Sequence, residues 1–163
     1  MKSGSREKNF FAKFMVSFFI LYALLYLLDL RFLTNFVASV QSQALALAGF
    51  PNALSGSFIS LEKISFEVVR ECTGLVMIFM LAALLYATRT KRALYYFAIF
   101  APVLFAFNLL RLFATFWFGA ALGTQAMELT HILLWFVDAA VVFFLWAVAA
   151  KIDLKQLSRK LFG

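Results

Sequence analysis

The sequence is poor in the residues that most often build covalent links and metal sites. It has one cysteine and one histidine among 163 residues. A single cysteine excludes an intramolecular disulfide, so Cys72 is a free thiol. With no second histidine and no cysteine pair, the usual ligand sets for a structural or catalytic metal cannot be assembled. We therefore predict neither a metal nor another cofactor.

Charged residues are also scarce, at 14% of the chain, whereas 64% of the residues are hydrophobic. The mean hydropathy is +0.91, and 22 residues are phenylalanine. This composition excludes an ordinary soluble core and predicts a single all-α integral membrane domain over residues 1–163. The net charge of +7 comes from short basic clusters between apolar segments, so we predict no nucleic-acid partner.

Long apolar stretches predict a four-span helical bundle, because each is long enough, or nearly so, to cross about 30 Å of hydrocarbon. The predicted spans are about 10–30, 68–87, 93–118 and 129–150. The first is too long for the apolar region of a signal peptide, and we interpret it as a retained span. Pro102 predicts a kink in the third span, and Gly119 and Gly123 predict a break before the fourth.

Two shorter segments between the first and second spans have different patterns. Residues 32–50 predict an amphipathic helix lying along the extracytoplasmic interface. Its apolar positions are Phe32, Leu33, Phe36, Val37, Val40, Ala44 and Leu47, and its polar positions, largely on the other side, are Thr34, Asn35, Ser39, Gln41 and Ser42. Residues 51–70 contain short alternating runs on either side of Glu62-Lys63, which predicts a small β-hairpin.

Basic residues predict the orientation of the bundle. Eleven of the fifteen Lys and Arg residues flank the predicted spans on one side: Lys2, Arg6, Lys8, Lys13, Arg89, Lys91, Arg92, Lys151, Lys155, Arg159 and Lys160. The positive-inside rule then places both termini and the 89–92 loop in the cytoplasm of a multi-pass cell-membrane protein. A further span at 32–50 would break this parity.

Helical rise brings three rare side chains to one depth. Counted at 1.5 Å per residue from the nearest cytoplasmic charge, Cys72 lies about 25 Å, Arg111 about 28 Å and His131 about 30 Å towards the outer face. A thiol, a guanidinium and an imidazole together provide a nucleophile, an oxyanion stabiliser and a proton carrier. Asn108 lies one helical turn below Arg111 on the same face, where it would bond to Arg111 or to a substrate.

Simpler interpretations of these residues stay open at this point. A lone cysteine in a membrane segment usually only packs, and an arginine near the end of a span usually anchors at the interface. Glu71 is either a supporting residue or a solvated flank. Asp138 follows His131 on the same face but about 10 Å deeper, too far to orient the imidazole directly. A structural pairing and a functional polar pocket are both open for this carboxylate.

The order of the motifs resembles that of a known family. Glu71-Cys72-Thr73-Gly74, Asn108-Leu109-Leu110-Arg111 and then His131 occur on successive predicted spans. The pattern resembles the exosortase/archaeosortase family of membrane cysteine transpeptidases over about residues 50–150. The resemblance implies that Cys72 is the nucleophile, His131 the general acid and base, and Arg111 a stabiliser of substrate or oxyanion. Asn108, Glu71, Thr73 and Gly74 would then support these three catalytic residues.

The same resemblance implies a substrate class. Such enzymes cleave secreted proteins at a C-terminal tail made of a short motif, an apolar span and a basic cluster. The reaction passes through a thioacyl intermediate on the extracytoplasmic side, and an amine-bearing acceptor, such as a membrane lipid, takes the acyl group. Many members are larger, and this chain resembles a minimal core. Two alternatives are a purely hydrolytic membrane cysteine protease and a non-catalytic assembly factor or transporter subunit held together by Arg111 and Asp138.

Overall fold

The computed structural model describes residues 3–62 and 64–150, with the side chains of residues 3–8 left out. Five α-helices form most of it: α1 (Ser3–Leu27), α2 (Arg31–Leu47), α3 (Leu75–Ala87), α4 (Ala93–Leu122) and α5 (Thr124–Ala149). Three short strands lie between α2 and α3: β1 (Ala53–Ser55), β2 (Phe58–Ser60) and β3 (Ser65–Glu67). The predicted membrane class and the mainly helical fold are confirmed.

Three helical segments are long and apolar enough to cross a membrane: Asn9–Leu27, Ala93–Leu122 and Thr124–Ala149. They correspond to the first, third and fourth predicted spans. α4 continues unbroken through Pro102 and Gly119. The predicted break lies at Gly123 alone, whose φ of +92° is in the left-handed region that glycine tolerates best. α4 and α5 therefore form a helical hairpin with a one-residue link.

The second predicted span is α-helical only in its later part. Residues 68–74 are not α-helical, because a 3₁₀ turn over Arg70–Thr73 precedes Gly74 and α3 begins only at Leu75. Gly74 adopts a φ of +80°, which ends one helical segment and separates it from the next. α3 is thus 13 residues long, or about 20 Å, and it packs against α1, α4 and α5.

The predicted helix at 32–50 corresponds to α2, which ends at Leu47, and its buried face differs from the predicted apolar face. The side chains that pack against the rest of the protein are Thr34, Val37, Ala38, Gln41 and Leu45. Phe32 and Leu47 are exposed instead. Gln41, predicted on the polar side, donates its Nε2 hydrogen bond to the carbonyl oxygen of Leu109 at 3.0 Å. A side-chain amide that satisfies a backbone group on α4 explains why this polar residue is buried.

The predicted hairpin at 51–70 is confirmed and extended by one strand. β2 and β3 pair antiparallel, with Ile59 opposite Phe66. β1 pairs with the other edge of β2, and the two-residue turn between them contains Gly56 at a φ of +60°. Ile59 and Phe66 are buried on the same face of this sheet, and Phe66 stacks on Phe116 of α4 with 4.7 Å between ring centroids.

The two ends of the bundle have different compositions. At one end, Phe10 of α1 stacks on Trp146 of α5, and Trp146 donates to the Oγ1 of Thr88, next to the basic 89–92 loop. At the other end, α2, the sheet and the 3₁₀ turn pack around α4 in one apolar cluster. The 3₁₀ turn therefore lies one α3 length away from the basic loop.

Candidate active site

Cys72 lies in the 3₁₀ turn that joins the sheet to α3. Its side chain is 8% exposed, and its backbone N–H donates to the carbonyl oxygen of Val69 at 3.0 Å. Thr73 closes the same turn, because its Oγ1 donates to the carbonyl oxygen of Arg70 at 2.6 Å. The thiol is thus held on a short, internally bonded turn rather than within a helix.

Asn108 connects this turn to α4. Its Nδ2 donates to the carbonyl oxygen of Cys72 at 2.8 Å, and its side chain is fully buried. We expected Asn108 to bond to Arg111 or to a substrate, but this amide instead fixes the backbone of Cys72. Gly74 allows the close approach, since a Cβ at this position would lie 3.0 Å from both Cβ and Cγ of Asn108. The Cys-Thr-Gly and Asn-x-x-Arg motifs are therefore one packing unit.

Replacing Gly74 by alanine tests this packing. We expect Gly74→Ala to lower stability by about 1–3 kcal/mol from the left-handed φ alone and to displace Cys72 by pushing on Asn108. Gly49→Ala is the matched control, because Gly49 has a φ of +88° but no atom within 4 Å of the added Cβ. Both variants should lose thermal stability, measured as Tm in detergent. Only Gly74→Ala should also slow the reaction of Cys72 with a thiol probe or substrate, and equal behaviour would contradict the role of the Asn108 contact.

Arg111 lies on α4 one turn after Asn108 and is 6% exposed. Its Nη1 donates to Oδ2 of Asp138 in a buried ion pair, and its Nη2 lies 3.4 Å from Nδ1 of His131. Thr115 donates to the carbonyl oxygen of Arg111 at 3.0 Å. One guanidinium thus joins two residues of α5 that are two helical turns apart. This ion pair matches the structural pairing that the sequence left open for Asp138, with Arg111 as its partner.

Cys72 and His131 line one cavity of about 370 Å³ between β3, α4 and α5. Its walls are mostly apolar, with Phe66, Leu112 and Phe116 among them, and Glu67 and Glu128 also line it. The thiol and the imidazole, which belong to different elements, therefore face the same space. Arg111 is not part of this lining, but its Nη2 contacts His131, so two of the three predicted catalytic residues face the cavity and the third contacts one of them.

A second cavity, of about 270 Å³, lies on the other side of the Cys72 turn and is lined by Glu71, Asn108, Arg111 and Asp138 among others. Glu71 accepts a hydrogen bond from Tyr26 of α1 at 3.0 Å, so this residue ties the turn to α1. Within the described chain, Arg111 Nε, Asn108 Oδ1 and Asp138 Oδ1 are buried without a hydrogen-bond partner. Ordered water or the polar groups of a substrate would satisfy them.

The surroundings of Cys72 favour the protonated thiol over the thiolate. Cys72 is buried in an apolar cluster, and such burial disfavours the charged thiolate. A protonated thiol is a poor nucleophile and needs a partner that removes its proton. Residues 3–62 and 64–150 hold no group of three His, Cys, Asp or Glu side chains arranged to bind a metal ion.

The long apolar helices place the protein in the class of integral membrane proteins. The family model for transmembrane exosortase (Exosortase_EpsH) matches residues 6–150. The chain belongs to the transmembrane exosortase family, and the resemblance predicted from the motifs is confirmed over a longer stretch than the motifs covered. No curated protein and no solved structure matches it.

Proposed function

We propose that this protein is a membrane cysteine transpeptidase that cleaves the C-terminal sorting tails of secreted proteins and transfers the new C-terminus to an amine-bearing acceptor. The observation that carries the proposal is the shared cavity: Cys72 and His131 line it together, and Arg111 lies 3.4 Å from the imidazole. Packing alone gives no reason for the sole cysteine and the sole histidine to face the same space.

The proposed reaction consists of two acyl transfers, and each is accompanied by proton transfer through His131. His131 takes the thiol proton of Cys72, and the sulfur attacks the carbonyl carbon of the scissile peptide bond. Arg111 donates hydrogen bonds to the oxyanion that forms. The C–N bond then breaks, His131 returns the proton to the leaving amine, and a thioester remains on Cys72. An acceptor amine attacks the thioester, forms a new amide and frees the thiol.

We further propose that both termini lie in the cytoplasm and that the site faces the extracytoplasmic side. The contact of Phe10 and Thr88 with Trp146 supports this orientation, since it gathers the start of α1, the basic 89–92 loop and the end of α5 at one end. α3 would be a fourth, short crossing: at about 20 Å it does not fill the hydrocarbon layer, so the Cys72 turn completes the crossing from the outer side.

The proposed path of the substrate tail runs along α5. A shallow apolar groove shares His131 and Ile132 with the catalytic cavity and continues over Trp135, Phe136 and Ala139. Ile132, Trp135 and Phe136 are each more than half exposed, as expected of side chains that meet lipid or an apolar helix. A tail helix lying there would place the peptide segment that precedes it beside Cys72.

The mass of the product tests the proposed reaction. We expect co-expression with a secreted protein that carries a motif, an apolar span and a basic cluster to give a product that has lost its tail and gained the mass of an acceptor. A product ending in a free carboxylate would identify a hydrolytic cysteine protease instead. An uncleaved tail, in cells where the protein is inserted and folded, would contradict both enzymatic functions.

A non-catalytic membrane role is the second candidate, and the buried Arg111–Asp138 pair favours it because such pairs also hold helices together. Thiol labelling separates the two functions. A non-catalytic protein should react with a thiol probe at the rate of an ordinary interfacial cysteine, and His131→Ala should leave that rate unchanged. In the transpeptidase, His131→Ala should slow the labelling because the thiol loses its proton acceptor.

A further inference from the structure

The Arg111 guanidinium makes two contacts that point in different directions along α5. Nη1 meets the carboxylate of Asp138, and Nη2 meets Nδ1 of His131 at 3.4 Å. Asp138 and Arg111 are both buried, at 7% and 6% exposure. A buried ion pair fixes a guanidinium more firmly than an exposed one does, because neither charge has water as an alternative partner.

The hydrogen bond between Arg111 and Nδ1 of His131 can have only one donor. A guanidinium carries five N–H donors and no acceptor, so Nδ1 of His131 must be the acceptor. The neutral imidazole then carries its proton on Nε2, since one ring nitrogen is a donor when the other is an acceptor. A doubly protonated ring would set its Nδ1–H against the N–H of Arg111, with donor facing donor.

From this geometry we propose that Asp138 is a positioning residue: by holding Arg111, it keeps His131 neutral with Nδ1 as the nitrogen that accepts a proton. The proposal assigns a role in the site to a carboxylate that contacts neither Cys72 nor His131. It deepens the proposed function and rests on it for its catalytic meaning, although the protonation pattern itself is independent of any activity.

Loss of the Asp138 charge would release the guanidinium towards another carboxylate. Glu71 lines the same cavity as Arg111 and Asp138 and is the only other acidic side chain there. Its position on the 3₁₀ turn lies across the cavity from α5, so a guanidinium that turns to Glu71 leaves Nδ1. Asp138 therefore determines which acceptors Arg111 contacts: Asp138 with His131, or Glu71.

This arrangement couples the proton transfer to the stabilisation of charge. The S–H bond of Cys72 breaks and an N–H bond forms at Nδ1, which then no longer accepts from Nη2 of Arg111. The freed Nη2–H donates instead to the oxyanion that appears as sulfur attacks the carbonyl carbon. No oxidant, reductant or other reactant is consumed in this step. His131 becomes an imidazolium, whose Nδ1 proton passes to the leaving amine.

The sole histidine makes the protonation pattern directly measurable. The full chain, purified in lipid nanodiscs by an affinity tag without histidine and labelled with ¹⁵N-histidine, gives one pair of imidazole nitrogen signals. At neutral pH we expect Nδ1 to have the shift of an unprotonated nitrogen and Nε2 that of a protonated one. Protonation of both nitrogens, as in a thiolate–imidazolium pair, or of Nδ1 alone would overturn the proposal.

Variants of the carboxylate test the positioning role. Asp138→Asn should move the Nδ1 signal towards the average of two exchanging tautomers and should lower processing by at least tenfold. Asp138→Glu, which keeps the charge, should restore the signal largely to that of the parent protein. Asp29→Asn is the matched control, because it removes an exposed carboxylate that pairs with Arg31 and should change neither readout. A wild-type nitrogen pattern in Asp138→Asn would overturn the role of Asp138.

The two failures are distinguishable. If both ring nitrogens are protonated while the tail is still cleaved and transferred, this inference fails and the proposed function stands. If the nitrogen pattern is as expected but no tail is processed, Asp138 positions Arg111 in a protein that is not a transpeptidase. Should Asp138→Asn fail to insert or fold, the Asp138→Glu variant and the wild-type spectrum still decide the question.

Discussion

Tail processing should stop when Cys72 is replaced by alanine, with membrane insertion unchanged. In the proposed mechanism the sulfur of Cys72 is the protein atom that forms a covalent bond to the substrate, so its loss should lower the rate by at least ~10³-fold. Cys72→Ser should be nearly as inactive, because a hydroxyl is a far weaker acid than a thiol. His131 would therefore remove the serine proton far less readily than the cysteine proton. The measurement is the fraction of a co-expressed tail-bearing substrate that loses its tail.

Stability has to be measured in the same variants, since Cys72 is part of a buried apolar cluster with Val37, Phe66 and Leu112. Shortening the side chain should cost only about 1 kcal/mol, so Tm in detergent should fall by a few degrees at most. Full tail removal by a folded Cys72→Ala protein would contradict the assignment of Cys72 as the nucleophile. Loss of both activity and insertion would instead point to a role of Cys72 in packing.

The lengths of the apolar stretches predicted the long helices correctly, because the summed hydropathy of about twenty successive residues outweighs the effect of any single residue. The prediction failed ahead of α3, where Val68, Val69 and Cys72 are as apolar as the helix that follows. Hydropathy contains no information about backbone conformation, and the change to a 3₁₀ turn depends on Gly74 at a positive φ. The glycine in the Cys-Thr-Gly motif was visible in the sequence, and its close approach to Asn108 was not.

Depth counting predicted that Arg111 and His131 lie at a similar height in the bundle, because the rise of a helix per residue is nearly constant. It brought Arg111 and His131 together correctly, and they lie within 3.4 Å. The rise per residue does not determine how a helix is rotated about its axis. Depth counting therefore could not predict that Asn108 faces Cys72. It placed Asp138 too deep to orient His131 directly, and it left the partner of this carboxylate open. The long side chain of Arg111 spans that difference in depth, and only side-chain geometry reveals it.

The strand β1 and the buried face of α2 illustrate a second limit. β1 has only three residues, too few for an alternating pattern, although Gly56 in the following turn was a usable signal. On α2, the count of apolar positions predicted one face, but the structure buries Thr34 and Gln41 there. A glutamine that finds a backbone acceptor on α4 is satisfied in a way that its residue type alone cannot predict.

A charge swap across the Arg111–Asp138 pair separates catalysis from helix packing. Arg111→Ala and Asp138→Ala each leave one buried charge without its partner and should cost about 3–5 kcal/mol of stability. The double variant Arg111→Asp with Asp138→Arg keeps one positive and one negative charge between α4 and α5, so most of that stability should return. Measured as Tm in detergent, the swap should lie closer to the parent protein than either single variant does.

Activity should not return with stability in the swapped protein. The arginine would then lie on α5, and an aspartate would take the place of the guanidinium that faces His131 and the substrate oxyanion. Loss of a single oxyanion donor costs about 10²–10³-fold in rate, so we expect processing to fall by at least that factor. A swapped protein that regains both stability and tail processing would show that the pair only holds the helices together. A stable but inactive swap would instead require Arg111 itself beside His131, the arrangement on which the proposed transpeptidase chemistry depends.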